Sequence, residues 1–435
     1  MNGRQEKMRK KIKIIFLTVV LILTGQISLL AKNTQNQGTI KRLTYSGNDS
    51  VLYPCLNDDG KWMLYVRELK EGDKTTKVLQ VMDIETGKVT ELFRDKIRKA
   101  PAPYKDIPLL LGSKPPRLNG NGRMAFFTLS LDQPANILDH YLAVIKTDGT
   151  DLKIDSFPME SLQEKDHKAL EFKTDEWERV ANYVMNGDGS RIVCAVKGHS
   201  GPIRYGNASA LILLDSQQDT QNTLLAPEFN GKEWKWTSPP FQPLTGGGWA
   251  LGISGSGERI IFGAQSSDDT TDYDLYLCDW EGKKIERITD FHDRWMSQAE
   301  LSQDGEKVVF LYSGKKKNGI GTYVLNMDDL EPDYIESQVG PRLEFYDLSG
   351  NGQYILFKSI YKGFLFDLRT GRSILAFDEN TMGYVSGEIP MDFPPFPAFW
   401  SPQIMSHDGK RILLVGPPQG KGNAEIFLLS FDEKQ

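Results

Sequence analysis

His199 in one stretch and His292-Asp293-Arg294 in another are the residues of this chain best suited to acid–base work. An imidazole changes charge near neutral pH, a carboxylate orients it, and a guanidinium steadies developing negative charge. Trp234, Trp236 and Trp295, together with Arg204 and Tyr205, are suited instead to holding a ligand, because they combine large contact area with a directional polar group. Neither set follows a motif of known chemistry. The chain has no H-x-H, H-E-x-x-H or Cys/His cluster, so no metal or other cofactor is expected and no catalytic residue is assigned. Asp268, Asp269, Asp272 and Asp274 lack the spacing of a calcium loop, and Gly252-Ile253-Ser254-Gly255-Ser256 stops one residue short of the G-x-S-x-G nucleophile elbow. What the two sets do depends on the elements that position them.

Those elements repeat. A phrase of the form [Ser/Asn]-x-[Asp/Asn/Ser]-Gly, followed at once by an apolar run, occurs seven times, ending at Gly60, Gly122, Gly189, Gly257, Gly305, Gly352 and Gly409. Each phrase predicts a tight turn: the short polar side chain can bond the backbone two residues on, and Gly supplies a positive φ. A second strand–turn–strand run follows, as in 78–93, 141–154, 275–289 and 363–375, with Gly87, Gly149, Gly282 and Gly371 in the turns. Four antiparallel strands per unit and seven units predict an all-β, seven-bladed β-propeller over residues 39–435. The last unit ends after its third strand, EIFLLSFD (425–432), whereas Thr39-Ile40-Lys41-Arg42-Leu43-Thr44 matches the fourth strand of another blade, Ile285-Glu286-Arg287-Ile288-Thr289. The N-terminal strand is therefore expected to complete the last blade and close the ring.

The repeat resembles that of the TolB-type periplasmic propeller family, whose phrase is S-P-D-G-K, followed by a D-I-Y-type third strand and a fourth strand ending R-L-T. Ser302-Gln303-Asp304-Gly305, Ser406-His407-Asp408-Gly409-Lys410, Asp274-Leu275-Tyr276, Glu425-Ile426-Phe427 and Arg42-Leu43-Thr44 carry the resemblance. No copy has Pro at the second position, and three copies begin with Asn. The resemblance implies the fold, without TolB's N-terminal domain and without its partners.

Residues 1–31 read as a signal peptide: Arg4, Lys7, Arg9, Lys10, Lys11 and Lys13 precede an apolar stretch from Ile14 to Leu23, and Ala31 suits cleavage. That places the protein in the periplasm or outside the cell, with no stable membrane insertion after cleavage. Removing this segment takes away six basic residues and one acidic one, moving the net charge from -6 to -11. Such a balance argues against nucleic acid, whose phosphates require a concentrated basic surface. Cys55, Cys194 and Cys278 read as small hydrophobes in blade cores rather than as a disulfide framework.

Antiparallel strands send the seven diagnostic turns to one face of the ring. The second-to-third-strand connections and the blade-to-blade connections leave from the other, which takes the long insertions 94–116, 158–178, 197–209, 226–247 and 376–399. His199, Arg204, Tyr205, Trp234, Trp236, His292, Asp293, Arg294 and Trp295 fall in this second set of connections, and so do His140 and His167, whereas His407 belongs to a turn. The reading is a monomeric, non-catalytic propeller that binds a protein, peptide or oligosaccharide of the cell envelope through its long-loop face. The alternative is a carbohydrate-active enzyme such as a propeller polysaccharide lyase. Some of these, the oligogalacturonate lyase family among them, use such a face with metal-bound histidines, but their closely spaced His pair is absent here.

Overall fold

The structure is a computed structural model. It describes residues 39–45, 47, 49–72, 74–100, 107–132, 139–156, 179–197, 209–218, 220–225, 228–229, 234–235, 251–265, 273–290, 295–313, 320–335, 344–358, 362–378, 396–397, 404–416 and 423–431. The proposed signal peptide lies outside these residues.

In chain order the first strand is β1 (Thr39–Arg42). Blade 1 follows as β2 (Ser50–Leu56), β3 (Trp62–Glu71), β4 (Lys74–Asp83) and β5 (Val89–Arg94). Blade 2 comprises β6 (Leu109–Leu111), β7 (Arg117–Leu118), β8 (Met124–Leu131), β9 (Asp139–Lys146) and β10 (Lys153–Ser156). Blade 3 is β11 (Arg179–Met185), β12 (Arg191–Lys197), β13 (Ser209–Asp215) and β14 (Thr220–Leu225), followed by a small hairpin of β15 (Glu228–Phe229) and β16 (Trp234–Lys235). Blade 4 is β17 (Leu251–Ile253), β18 (Arg259–Gln265), β19 (Tyr273–Asp279) and β20 (Ile285–Arg287), and blade 5 is β21 (Trp295–Leu301), β22 (Lys307–Ser313), β23 (Ile320–Asn326) and β24 (Pro332–Tyr334). Blade 6 is β25 (Glu344–Leu348), β26 (Tyr354–Lys358), β27 (Lys362–Asp367) and β28 (Arg372–Asp378). Blade 7 is β29 (Phe396–Pro397), β30 (Arg411–Gly416) and β31 (Glu425–Ser430). Every sheet is antiparallel, and β1 adds to β31 as the fourth strand of blade 7, pairing Thr39 with Ser430 and Arg42 with Phe427. The seven-bladed propeller closed by an N-terminal strand is thus the observed fold.

Each blade is buried on both faces because its neighbours cover it. Met63 and Tyr65 of β3 pack with Leu413 and Phe427 of blade 7, while the intervening Leu64 and Val66 pack with Phe127 and Ala143 of blade 2. The alternation of a strand, which usually separates core from solvent, here separates one neighbouring blade from the other. Cys55, Cys194 and Cys278 are buried free thiols in these layers.

The turn phrase acts at three positions. Its third residue accepts the amide two residues on in all seven copies, for example Asp188 Oδ1 from Ser190 at 2.8 Å and Asp408 Oδ1 from Lys410 at 3.0 Å. The first residue is buried in every copy, and its side chain accepts the amide five residues on, as Asn57 does from Trp62 at 2.8 Å and Ser349 from Tyr354 at 2.8 Å. The Gly residues all have positive φ. Several are also needed for space: a Cβ on Gly60 would sit 2.6 Å from Arg411 Cδ, whose guanidinium bonds the Gly60 carbonyl across the seam between blades 7 and 1.

The second position explains the missing proline. The amides of Asp58, Gly120, Gly187, Gly255, Gln303 and His407 each donate to a carbonyl of the adjacent turn: to Gly120, Gly187, Gly255, Gln303, Gly350 and Asp58 respectively, at 2.6–3.0 Å. The remaining step runs from the Asn351 amide to the His407 carbonyl, so seven bonds close a ring around the axis. Proline, which has no amide hydrogen, would break the ring at six copies. At the seventh, Gly350, any side chain would collide with His407, whose Nδ1 lies 2.2 Å from the Cβ position.

Changing Gln303 to Pro, which restores the S-P-D-G phrase, is therefore expected to destabilise the fold by about 1–3 kcal/mol, because it leaves the Gly350 carbonyl unpartnered. A urea unfolding midpoint equal to that of the parent protein would show that the ring contributes nothing.

Two strands depart from the sequence reading. The inner strand of blade 2 is split into β6 and β7, so the stretch 94–116 is not a plain insertion: Leu109–Leu111 pairs with β8. The inner strand of blade 7 is reduced to β29 and a single bridge between Met405 and Ile412.

Candidate functional site

The two ends of the axis differ. At the turn end, the side chains of Asp58, Gln303 and His407 meet above the hydrogen-bonded ring, among Gly120, Gly187, Gly255 and Gly350. Gln303 donates from Nε2 to Asp58 Oδ1 at 2.7 Å, and His407 Nδ1 lies 2.9 Å from Gln303 Oε1, which makes Nδ1 the protonated nitrogen. Burial raises the Asp58 carboxyl above its ordinary range, and Gln303 and His407 oppose that shift. Four glycines leave room for three side chains, which close this end.

At the other end, β12 and β13 flank the connection holding His199, Arg204 and Tyr205, and β20 and β21 flank the one holding His292, Asp293 and Arg294. Those six residues, with Trp236 and His167, lie outside the described residues. Trp234 opens β16 and pairs with Phe229, and Trp295 opens β21 opposite Ser313. His140, expected in a connection, is instead the second residue of β9, the third strand of blade 2.

A titratable group assembled on the axis was not read from the sequence. Counting back two residues from each turn phrase gives Cys55, Arg117, Val184, Gly252, Glu300 and Asp347, each in an inner strand, and Ile404, beside the Met405 bridge of blade 7. The inner strand of a blade has an unpaired edge toward the axis, and side chains in this register cap its amides from the preceding blade. Glu300 Oε2 accepts the Leu348 amide at 3.0 Å, Asp347 Oδ2 accepts the Met405 amide at 2.9 Å, and the Cys55 thiol receives the Leu118 amide. Asp347 Oδ1 also accepts the Leu348 amide at 3.1 Å. Arg117 occupies the same register in blade 2, its guanidinium 5.6 Å from the centre of the Tyr183 ring. The Tyr183 hydroxyl bonds the carbonyls of Pro115 and Phe126 at 2.9 and 3.0 Å.

Burial governs the charge state of this group. It raises Glu300 well above the carboxylate range, with Asp347 as a second cause, and raises Asp347 to about 7. Burial also lowers the Arg117 guanidinium and lifts the Cys55 thiol to about 12. Two carboxyls this close share protons as a pair. An acid held above its unfolded value costs stability as pH rises. Below pH 3.8 both states carry the proton, whereas between there and about 7 only the folded Asp347 keeps it. Stability is therefore expected to fall across that window by on the order of 4 kcal/mol, at about 1.4 kcal/mol per pH unit. Asp347→Asn should flatten the profile, read as urea midpoints at pH 5 and pH 8. Parallel profiles would remove Asp347 as the cause.

A separate hollow of about 370 Å³ lies on the outer rim between blades 3 and 4, where Asp215, Asn222 and Glu281 surround Trp280. Arg191 covers that ring at 5.0 Å and is itself bonded to the Gly257 carbonyl and Glu258.

No protein-family model matches the sequence, and no curated protein sequence matches it. Among solved structures, the chain is similar to an oligogalacturonate lyase in complex with manganese, at 13% identity and a TM-score of 0.53, over 92% of this chain and 95% of that one. An oligogalacturonate lyase from Vibrio parahaemolyticus gives 13% identity and a TM-score of 0.55, over 91% and 94%. TolB from Acinetobacter baumannii gives 16% identity and a TM-score of 0.39, over 86% and 81%. At these identities the two lyase structures attest the propeller fold alone.

Proposed function

We propose that the protein is an exported, non-catalytic propeller that binds a protein, peptide or oligosaccharide of the bacterial cell envelope through the face opposite its turn ring. The observation that carries this reading is the closed ring of seven backbone hydrogen bonds, plugged by Asp58, Gln303 and His407. A ligand reaching the axis would then enter from the other end, to which this reading assigns the long connections with their Trp, His and Arg residues. Export rests on the basic and apolar character of residues 1–31.

The test is a binding screen of the protein lacking residues 1–31 against oligosaccharide and envelope-protein arrays, repeated with variants. Trp236→Ala with Trp295→Ala is expected to weaken capture of any ligand found by roughly 30-fold or more, since truncating a central anchor costs about 2–4 kcal/mol. Charge reversal at Lys61, Arg123 and Lys410 beside the turns should change it little. The opposite pattern would put the binding surface on the turn face.

The second reading, a polysaccharide lyase, is favoured by one feature: two proton-holding carboxyls beside an arginine on the axis, in a fold shared with two lyases. It predicts the ultraviolet absorbance of an unsaturated product from acidic oligosaccharides. The binding reading predicts none.

A further inference from the structure

Arg117 is the member of the axial group whose side chain is not taken up by a backbone group of the next blade. Glu300, Asp347 and Cys55 each receive a backbone amide of the next blade. The guanidinium of Arg117 presents five N–H donors, yet among the described residues it forms no hydrogen bond or ion pair; its contacts are the face of the Tyr183 ring and the longer-range fields of Glu300, Asp347, Cys55 and Tyr183. It is not sealed into the core either, since the side chain keeps part of its surface open although β7 lies on the inner edge of its blade. Its nitrogens are not among the buried atoms left without a partner, so the fork faces solvent on the axis and stays available to a ligand.

We propose that Arg117 forms, on the axis above the turn ring, a receptor site for an oxyanion: a carboxylate or phosphate group carried on the tip of a ligand that enters from the end opposite that ring. The planar guanidinium fork matches two oxygens at once, and the Tyr183 ring holds it from one side. The groups facing it fit this occupant. Glu300 and Asp347 would repel an anion if both were ionised, but burial keeps protons on the pair, which leaves Arg117 as the net charge and adds O–H donors. The Cys55 thiol stays neutral, and the Tyr183 hydroxyl is committed to two carbonyls. The turn ring beneath, plugged by Asp58, Gln303 and His407, stops the ligand from passing through.

The inference rests on the proposed entry from the face opposite the turn ring, but its test does not need the partner. Isothermal titration of the protein lacking residues 1–31 with sodium acetate, and separately with inorganic phosphate, at pH 6.0 and 8.5, should show one anion per chain. Affinity should be several-fold stronger at pH 6.0. The anion that binds tighter identifies the oxyanion preferred. Arg117→Met should weaken binding at least ten-fold, while Arg123→Met, an exposed turn arginine, should leave it unchanged. If Arg117→Met does not fold by circular dichroism, Arg117→Lys keeps the charge without the fork and should still bind several-fold more weakly. Asp347→Asn should retain binding and lose much of its pH dependence. Absence of anion binding by the parent protein, equal affinity in a folded Arg117 variant, or equal loss in Arg123→Met would overturn the proposal. None of these results would bear on the Trp236 and Trp295 test, so the two readings can fail separately.

Discussion

A protein lacking residues 39–45 is expected to aggregate or to melt far below the parent. The deletion removes the outer strand of blade 7, whose four residues pair with β31 from Ser430 to Phe427, and exposes the β31 edge to other chains. It also strips Glu425, which is buried, of Arg42 and Thr44. Arg42 Nη2 bonds Glu425 Oε1 at 3.0 Å, and the Thr44 hydroxyl bonds Oε2 at 2.6 Å while accepting the Ile426 amide. Removing the charged partner of a buried carboxylate costs about 3–5 kcal/mol. Adding the lost ladder and the buried Leu43 brings the total close to the ~5–15 kcal/mol that holds a typical domain together. Differential scanning calorimetry checks this. An unchanged melting temperature would mean that the ring does not need its N-terminal strand.

Arg287→Met should cost about 3 kcal/mol, the low end of the range for breaking a buried pair, because Arg287 keeps some solvent access. Asp274 has no exposed surface and receives Arg287 Nε at 2.9 Å and the Thr289 hydroxyl at 2.8 Å, while the Leu275 amide donates to Thr289 Oγ1. This is the Glu425 arrangement repeated in blade 4: a carboxylate opening the third strand, held by the Arg and Thr that end the fourth. The double change Arg287→Met with Asp274→Leu should recover much of the loss, since an apolar pair of similar volume needs no compensation. A denaturant series on the parent, the single and the double variant measures this. A single variant within 0.5 kcal/mol of the parent, the usual spread for surface changes, would deny the clasp its role.

That shared clasp is why the missing fourth strand could be read from the sequence. Arg42-Leu43-Thr44 and Arg287-Ile288-Thr289 look alike because each must satisfy a buried carboxylate. The turn phrase was legible for a similar reason: within five residues it holds a buried side-chain acceptor, a side chain bonding two residues on, and a glycine at positive φ. Less was visible where a strand is short. β6, β7 and β29 have two or three residues each, too few to show any period. The axial group was missed because its members are far apart in the chain: Cys55, Arg117, Glu300 and Asp347 meet only through the ring. The available signal was their common offset from the turn phrases, where charged residues stand in a column shared with Val184, Gly252 and Ile404. Of the nine loop-face candidates, the described residues include the backbones of Trp234 and Trp295.

The claim that ligands are taken at one end of the axis, opposite a sealed ring of turns, is tested most directly by hydrogen–deuterium exchange on the protein with and without a bound ligand from the array screen. Protection is expected in the connections 198–208, 230–250 and 291–294 and in the amides at the start of β9 and β21. The seven turns from Asn57–Gly60 to Ser406–Gly409 should exchange at the same rate in both states. Protection confined to those turns would contradict the account.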